Sequence, residues 1–298
     1  MKDSNWRANK ERSNPFALHS ICWLALNISR NFARLWLYPI TLYFFLTSSQ
    51  VRLASKNYLK RTALPRHGFV QILKHIHHFS AVILDRVYFI SNQTEQFDVK
   101  IFNEELILDL IKNNLGFILL GSHVGGFDVL QYLTPRYGHQ AKIMMDVSHN
   151  SMITEILYNL NPAMFDAVID ANNDNALLKV KESIDNSEFV AILADRSVDK
   201  QKTIQCTLLG DVVNIPKAPF ALANILKKPV IVFFGVYVGK NKYEIHFKEI
   251  KNNYTEKKSE REKNIIKNAQ VYTSYIQEMI EKHPFNWFNF YDYWGDEL

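Results

Sequence analysis

The sequence predicts an α/β fold with a largely parallel central sheet flanked by helices and preceded by a helical N-terminal segment. Three observations predict it. The runs "FILLG" from 117, "KIMMDV" from 142, "DAVIDA" from 166, "FVAILAD" from 189 and "PVIVFFGVYV" from 229 are short and continuously apolar, which suits strands buried on both faces. Helix-like stretches separate them, and alternation of strand with helix builds a layered α/β sheet. The 298-residue chain is 47% hydrophobic and 22% charged, enough apolar matter for a sizeable core and too much for a disordered chain.

The elements are justified in chain order. From Ile21 to Leu46 the run "ICWLALNISRNFARLWLYPITLYFFL" is apolar and aromatic, but Arg30 and Arg34 interrupt it and Pro39 breaks or kinks it. Each arginine at a bilayer centre costs roughly 2.5–3.5 kcal/mol on insertion scales, which argues against a simple span. No small-residue cleavage site follows, so a signal peptide is disfavoured. The preferred reading is an interfacial anchor with Trp23, Trp36, Tyr38 and Tyr43 at headgroup depth, and Arg30, Arg34, Arg52, Lys56, Lys60 and Arg61 facing anionic lipid. The alternative is a helical hairpin buried against the domain. The expected division is a membrane-associating segment, 1–60, and a second domain, 61–298.

The region up to about residue 113 reads as mostly helical. Beyond it, "MITEILYNL", "NALLKVKESI" and "KAPFALANILK" read as helices between strands, the last tolerating Pro219 only in its first turn. The more polar "KYEIHFKEI" follows the last apolar run, and a helix over roughly 256–283 carries "EKKSEREK" as a solvated face.

The stretch "GFILLGSHVGGFDVL" (116–130) sets a histidine, two glycines and an aspartate at the end of an apolar strand, the end at which open α/β sheets bind ligands. Residues five apart do not share a helical face, so His123 is expected in the strand-to-helix turn, with Asp128 reaching back from the following helix. Gly125 and Gly126 permit the reversal. The expected chemistry is general base catalysis: Asp128 orients one ring nitrogen and the other accepts a proton from a substrate hydroxyl. Amides near the helix start are candidates to stabilise an oxyanion. Ser122 lacks the G-x-S-x-G setting of a nucleophile. The competing reading is that His123 and Asp128 only cap the helix.

The other candidates read as structural. Two cysteines, Cys22 and Cys206, give no disulfide framework or zinc motif, which fits a reducing compartment. His75, His77 and His78 in "HIHHF" have no companion ligands at metal spacing and read as surface or packing residues, so no metal is expected. The aromatic ending "NWFNFYDYW" reads as a tail docked on the core. With Lys and Arg totalling 35 against 30 Asp and Glu, the net charge of +5 favours anionic partners, but the chain has no nucleic-acid motif and nucleic acid is not expected.

The block "SHVGGFD" resembles the His-x-x-x-x-Asp motif of the lysophospholipid acyltransferase superfamily. "LADRSVD" from 193, "LLGDVVNIPKAPFALANILKKPVIVFFGV" from 208 and "HPFNWFNFYDYW" resemble later blocks of its bacterial lipid A biosynthesis branch. With "LYPITLYFFLTSSQVRLASKNYLKR" and "HHFSAVILDRVYF", the chain is similar to predicted acyltransferases of aryl polyene-type, fatty-acid-synthase-like lipid pathways.

The resemblance implies a glycerol-phosphate acyltransferase-like fold and transfer of an acyl group from an acyl-carrier-protein or coenzyme A thioester to a hydroxyl of a membrane lipid or glycolipid. It implies no covalent acyl-enzyme and no cofactor beyond the co-substrate. His123 and Asp128 carry over as catalytic residues, with Gly125, Gly126, Asp195, Arg196 and Gly210 in substrate-binding positions. For Arg196 an anion-binding role stands beside a purely structural contact with Asp195. The expected location is the cytoplasmic face of the inner membrane, where Arg52, Lys56, Lys60, Arg61 and Arg66 would receive an acidic carrier protein or lipid headgroups. The Glu-Gly-Thr-Arg block of glycerolipid enzymes has no counterpart beyond Gly210 and Asp211, which argues against glycerol 3-phosphate as acceptor. A peripheral lipid-binding protein and an acyl thioester hydrolase are the alternatives.

Overall fold

The computed structural model describes residues 15–138, 141–147, 160–162, 166–197, 202–252, 254–255 and 257–295, with the main chain alone at 15–19, 21 and 135. The sheet strands are β1 (Asp98–Phe102), β2 (Phe117–Gly121), β3 (Lys142–Met145), β4 (Val168–Asp170), β5 (Phe189–Leu193), β8 (Val230–Gly239) and β9 (Lys242–Ile250), and β6 (Thr203–Leu208) and β7 (Asp211–Pro216) form a separate hairpin. The seven-stranded sheet runs β1-β9-β8-β2-β5-β3-β4, and among its pairs β8 and β9 are antiparallel while the others are parallel. The α/β architecture with a mostly parallel sheet is therefore as expected.

The apolar runs are continuous because both faces of each central strand are covered. In β2, Ile118 and Leu120 join one core with Val190, Val232 and the final helix, and Phe117 and Leu119 join the opposite core with Phe233 and Phe247. The first core is closed by α7 (Ala176–Asp185), α8 (Ala218–Leu226) and α9 (Lys258–Lys282), and the second chiefly by α4 (Phe69–Ile90) and α5 (Glu105–Lys112), with Tyr137 of the short α6 (Thr134–Tyr137). Pro219 sits in the first turn of α8, where the missing N–H has no intrahelical partner to lose.

Two elements differ from expectation. β1 lies in the stretch read as helical, because "DVKIF" is a half-exposed edge strand with no apolar run to betray it. The β6–β7 hairpin alternates buried and exposed residues and closes through Leu209 and Gly210, both at positive φ (52° and 87°), as a two-residue primed turn requires. The helix expected at "MITEILYNL" falls almost entirely outside the described residues.

The N-terminal segment forms α1 (Pro15–Asn27), α2 (Arg30–Thr47) and α3 (Ser49–Arg61). Ser29 accepts a hydrogen bond from the Phe32 amide and Ser48 one from the Val51 amide, capping α2 and α3. Pro39 is carried inside α2 without ending it. Ala25, Ala33 and Leu37 pack into the same core as α4 and the sheet.

Arg30 and Arg34 do not face outward as expected. Arg30, 7% exposed, donates from Nε and Nη2 to Asp85 of α4 at 2.7 and 2.6 Å and from Nη2 to the Lys240 carbonyl. Arg34 lies 3.6 Å from the same carboxylate and donates to the Tyr237 hydroxyl. With the arginines turned inward, Trp23, Leu35, Trp36, Tyr38, Leu42, Tyr43 and Leu46 are left on the outer surface, Leu35, Tyr38 and Leu46 each more than 60% exposed. The segment is thus both a packed hairpin and an exposed apolar face. Among the described residues no helix is long and apolar enough to cross a membrane.

Candidate active site

β2 ends at Gly121, whose carbonyl accepts a 2.7 Å hydrogen bond from the Tyr272 hydroxyl of α9, and the chain turns through Ser122–Gly126 into a 3₁₀ segment, Phe127–Leu133. His123 stands in that turn, as the spacing required. Gly125 has φ +72°, and a Cβ there would lie 2.1 Å from the Gly235 carbonyl oxygen of β8. Glycine is needed because the turn is pressed against the neighbouring strand.

The orienting carboxylate is not Asp128. His123 Nδ1 lies 2.8 Å from Oδ1 of Asp195, and the His123 amide donates to Oδ2 at 3.0 Å. The register explains this partnership. Gly121 pairs with Leu193 across parallel β2 and β5, so two residues beyond each strand end His123 meets Asp195. Asp128 instead forms an ion pair with Arg86 of α4 at 2.9 Å, tying the 3₁₀ segment to that helix.

Asp195 was expected to bind substrate, but it is completely buried and its oxygens are occupied. Besides both bonds to His123, Oδ2 accepts a 3.1 Å bond from Nδ2 of Asn289. Burial opposes its charge, but His123 and Arg196 offset that cost and hold the carboxyl at about 2. Burial lowers the His123 pKa below its usual value, Arg196 lowers it further, and Asp195 only partly restores it. Near neutral pH the network therefore assigns a neutral imidazole that donates from Nδ1 to a carboxylate. Its side chain is a quarter exposed, and among the described residues Nε2 has no hydrogen-bond partner.

The aromatic ending roofs this site. The Phe288 amide donates to the His123 carbonyl at 2.8 Å, the Gly125 amide to the Asn286 carbonyl at 2.7 Å, and Val124 and Trp287 form an isolated β-bridge. Asn286 accepts from the Tyr237 amide and donates to its carbonyl. Asn289 donates to Asp195 while accepting 2.6 Å from Arg196 Nε, and the Tyr293 hydroxyl donates to the Asp195 carbonyl. Asn286, Asn289 and Tyr293 were not singled out from sequence. Two asparagines three apart in an otherwise aromatic "FNWFNF" are the available signal, since buried amides need partners.

The remaining expected site residues fall as follows. Arg196 engages the tail, donating from Nη2 to the Phe288 carbonyl and lying 5.6 Å from the Tyr291 ring centre. The amides of His123, Val124, Gly125 and Gly126 are all occupied, by Asp195, Ser122 Oγ, Asn286 and Gly235, so none is offered to an oxyanion, and Gly125 and Gly126 serve close packing. Gly210 is the turn residue of the β6–β7 hairpin, next to an Asp211 paired at 2.6 Å with Arg61. Arg61, expected to face lipid or a carrier protein, is held there and lies 4.6 Å from the Trp294 ring centre. The Ser122 hydroxyl accepts from the Val124 amide, and Cys206 is buried in the hairpin core.

The histidine trio is divided among packing roles. His75, 1% exposed, is bracketed by the Ser55 hydroxyl and the Trp287 carbonyl; His77 meets Thr41 and stacks on Tyr38; His78 packs against Tyr237 and Phe285.

Comparison with known families finds a match over residues 72–295 to the model described as bacterial lipid A biosynthesis acyltransferase. No curated protein matches the chain.

Proposed function

Because the chain belongs to the bacterial lipid A biosynthesis acyltransferase family, we propose that it transfers an acyl group from a thioester, carried by an acyl-carrier protein or coenzyme A, directly to a hydroxyl of a membrane lipid or glycolipid, the aryl polyene-type pathways being one such setting. The observation that carries this reading is the His123 ring, with Nδ1 bound to a buried carboxylate and the side chain a quarter exposed. Nε2 takes the proton from the acceptor hydroxyl as its oxygen attacks the thioester carbonyl. The resulting imidazolium, balanced by Asp195, returns the proton to the departing thiolate sulfur as the C–S bond breaks. The charge on Arg196, close enough to lower the His123 pKa, balances the developing oxyanion. No enzyme nucleophile is needed, in keeping with the engaged Ser122 hydroxyl and the buried Cys206 thiol.

The exposed apolar face of α1 and α2 supports placement at a lipid surface on the cytoplasmic side of the inner membrane, where an acidic carrier protein delivers its cargo. With Arg61 engaged elsewhere, Lys56, Lys60 and Arg66, all exposed, are the residues assigned to that carrier or to headgroups. Fully burying one large apolar side chain is worth about 1.5–3 kcal/mol, so Trp36→Glu with Leu46→Glu is expected to weaken sedimentation with anionic vesicles by at least about tenfold. Undiminished pelleting at equal folded protein would remove the anchor from this surface.

The activity itself is tested by incubating the purified chain with labelled acyl-carrier protein and a membrane extract and identifying the labelled product by mass spectrometry. A labelled lipid that disappears with His123→Ala is the expected result. Free fatty acid as the sole product would make the chain a thioester hydrolase, and no turnover dependent on His123 would leave a lipid-binding protein.

A further inference from the structure

A second cluster of ligand-type side chains lies outside the acyl-transfer site. Glu244 and His246 are two apart on β9 and so share one face of the strand. His283 follows α9 immediately. Nε2 of His246 is 3.1 Å from Oε2 of Glu244, Nε2 of His283 is 3.6 Å from the same oxygen, and all three ligand atoms lie within 4.8 Å of one another. Tetrahedral zinc, with bonds of about 2.0–2.2 Å to nitrogen and oxygen, separates its ligand atoms by about 3.3–3.5 Å. Two of the three separations straddle that value. The histidine ring centres are 6.3 Å apart, so seating an ion draws the rings together by about 1 Å.

Two further features favour a ligand here. His283 Nε2 is buried without a hydrogen-bond partner, an unsatisfied position that ordinarily calls for a bound ion or water. Glu244 and His283 also border a cleft, together with His78, Tyr237, Lys282 and Phe285, which leaves room for a fourth, non-protein ligand. The ring of His246 is held in place by parallel stacking on Phe102, 4.5 Å between centres.

We propose that Glu244, His246 and His283 bind one divalent transition-metal ion of the zinc class, clipping the end of α9 to β9. Histidine nitrogens with a single carboxylate oxygen suit zinc or cobalt(II) rather than calcium or magnesium, which prefer all-oxygen shells. The clip has a structural consequence for the roof of the acyl-transfer site. Three residues beyond His283, Asn286 holds the Gly125 amide and both main-chain groups of Tyr237. Fixing His283 to β9 thus fixes the start of the segment that covers His123. Lys282 Nζ, 4.0 Å from Glu244 and more than half exposed, swings outward when the ion arrives.

The test uses the full chain without an affinity tag, stripped with chelator and titrated with cobalt(II) alone. One equivalent is expected to give the intense visible bands of a four- or five-coordinate ion, abolished by one equivalent of zinc. Zinc is expected to raise the unfolding temperature of the wild type. Glu244→Gln and His283→Gln should each weaken uptake by roughly a hundredfold, the upper end of what losing even an outer partner costs, while His77→Gln binds as the wild type does. Wild-type protein that takes up no equivalent, or shows only the pale spectrum of a water-coordinated ion, overturns the proposal whether or not the variants fold. Uptake unchanged in both variants overturns it equally.

Discussion

Asp195→Asn is expected to lower acyl transfer by about 10²- to 10⁴-fold, the range general-base catalysis ordinarily contributes, and His123→Ala by at least as much. An asparagine keeps the shape but removes the charge that balances the imidazolium, and its single acceptor oxygen cannot serve both His123 Nδ1 on one side and the His123 amide and Asn289 on the other, so the tautomer is no longer fixed. The pH profile separates this from a loss of fold. Activity requires neutral His123, so it is lost as pH falls through the pKa of that residue, which burial and Arg196 hold below the usual 6.5. Asp195 is the group that raises this pKa, and removing its charge moves the midpoint further towards acid while the plateau drops. Asp128→Asn, which breaks the pair with Arg86 rather than a bond to His123, should leave the midpoint where it is. Initial rates against pH for the three proteins, at equal folded concentration, make the comparison. An Asp195→Asn enzyme within about threefold of wild type, or a midpoint that moves only in Asp128→Asn, would return the orienting role to Asp128.

The largest effect on stability is expected at Asp85. This carboxylate is fully buried and is shared by Arg30 at 2.6 Å, Arg34 at 3.6 Å and the Tyr243 hydroxyl at 2.9 Å. Burial pushes its pKa up even though Arg30, Arg34 and Tyr243 pull it down, and the cost of taking such a pair out of water offsets much of its attraction, so the intact cluster is expected to add little net stability. Breaking it is another matter. Asp85→Ala leaves the Arg30 guanidinium, also buried, without its counter-charge, a loss of about 3–5 kcal/mol. At about 2–4 °C per kcal/mol for a chain approaching this size, the midpoint of unfolding falls by on the order of 10 °C. Asp85→Leu combined with Arg30→Met, which removes both charges, should recover most of that loss in urea denaturation. A single Asp85→Ala variant as stable as wild type would mean that Arg30 finds water in the folded state.

Both predictions depend on partners that local spacing does not reveal. The apolar runs were sufficient to place β2, β5 and β8, because a strand covered on both faces carries its burial in its own composition; β3 and the edge strand β4, only partly buried, were still short enough apolar runs to be placed. The end of β2 and the position of His123 in the turn followed from the glycines and the end of the apolar run. Half-exposed elements left weaker marks: β1 is an edge strand of mixed residues, and the β6–β7 hairpin spreads its burial over alternate positions.

Asp128 was the nearest carboxylate along the chain and the one a familiar motif supplied. Asp195 is 72 residues away and reaches His123 because parallel pairing aligns the ends of β2 and β5, and that register is a property of the assembled sheet. For the same reason Arg30 and Arg34 read as cations for a lipid surface, since nothing in "NISRNFARLW" announces a carboxylate on another helix. The sequence alone determined the layered fold, the strand that ends in His123 and the apolar character of the N-terminal segment, all of which depend on residue type and short-range order. Tertiary structure alone decided which acid orients the histidine, which way the arginines turn and what the aromatic tail covers. Each of those outcomes is a pairing of buried polar groups from distant parts of the chain, and such pairs are chosen by where packing brings them after their water has been removed.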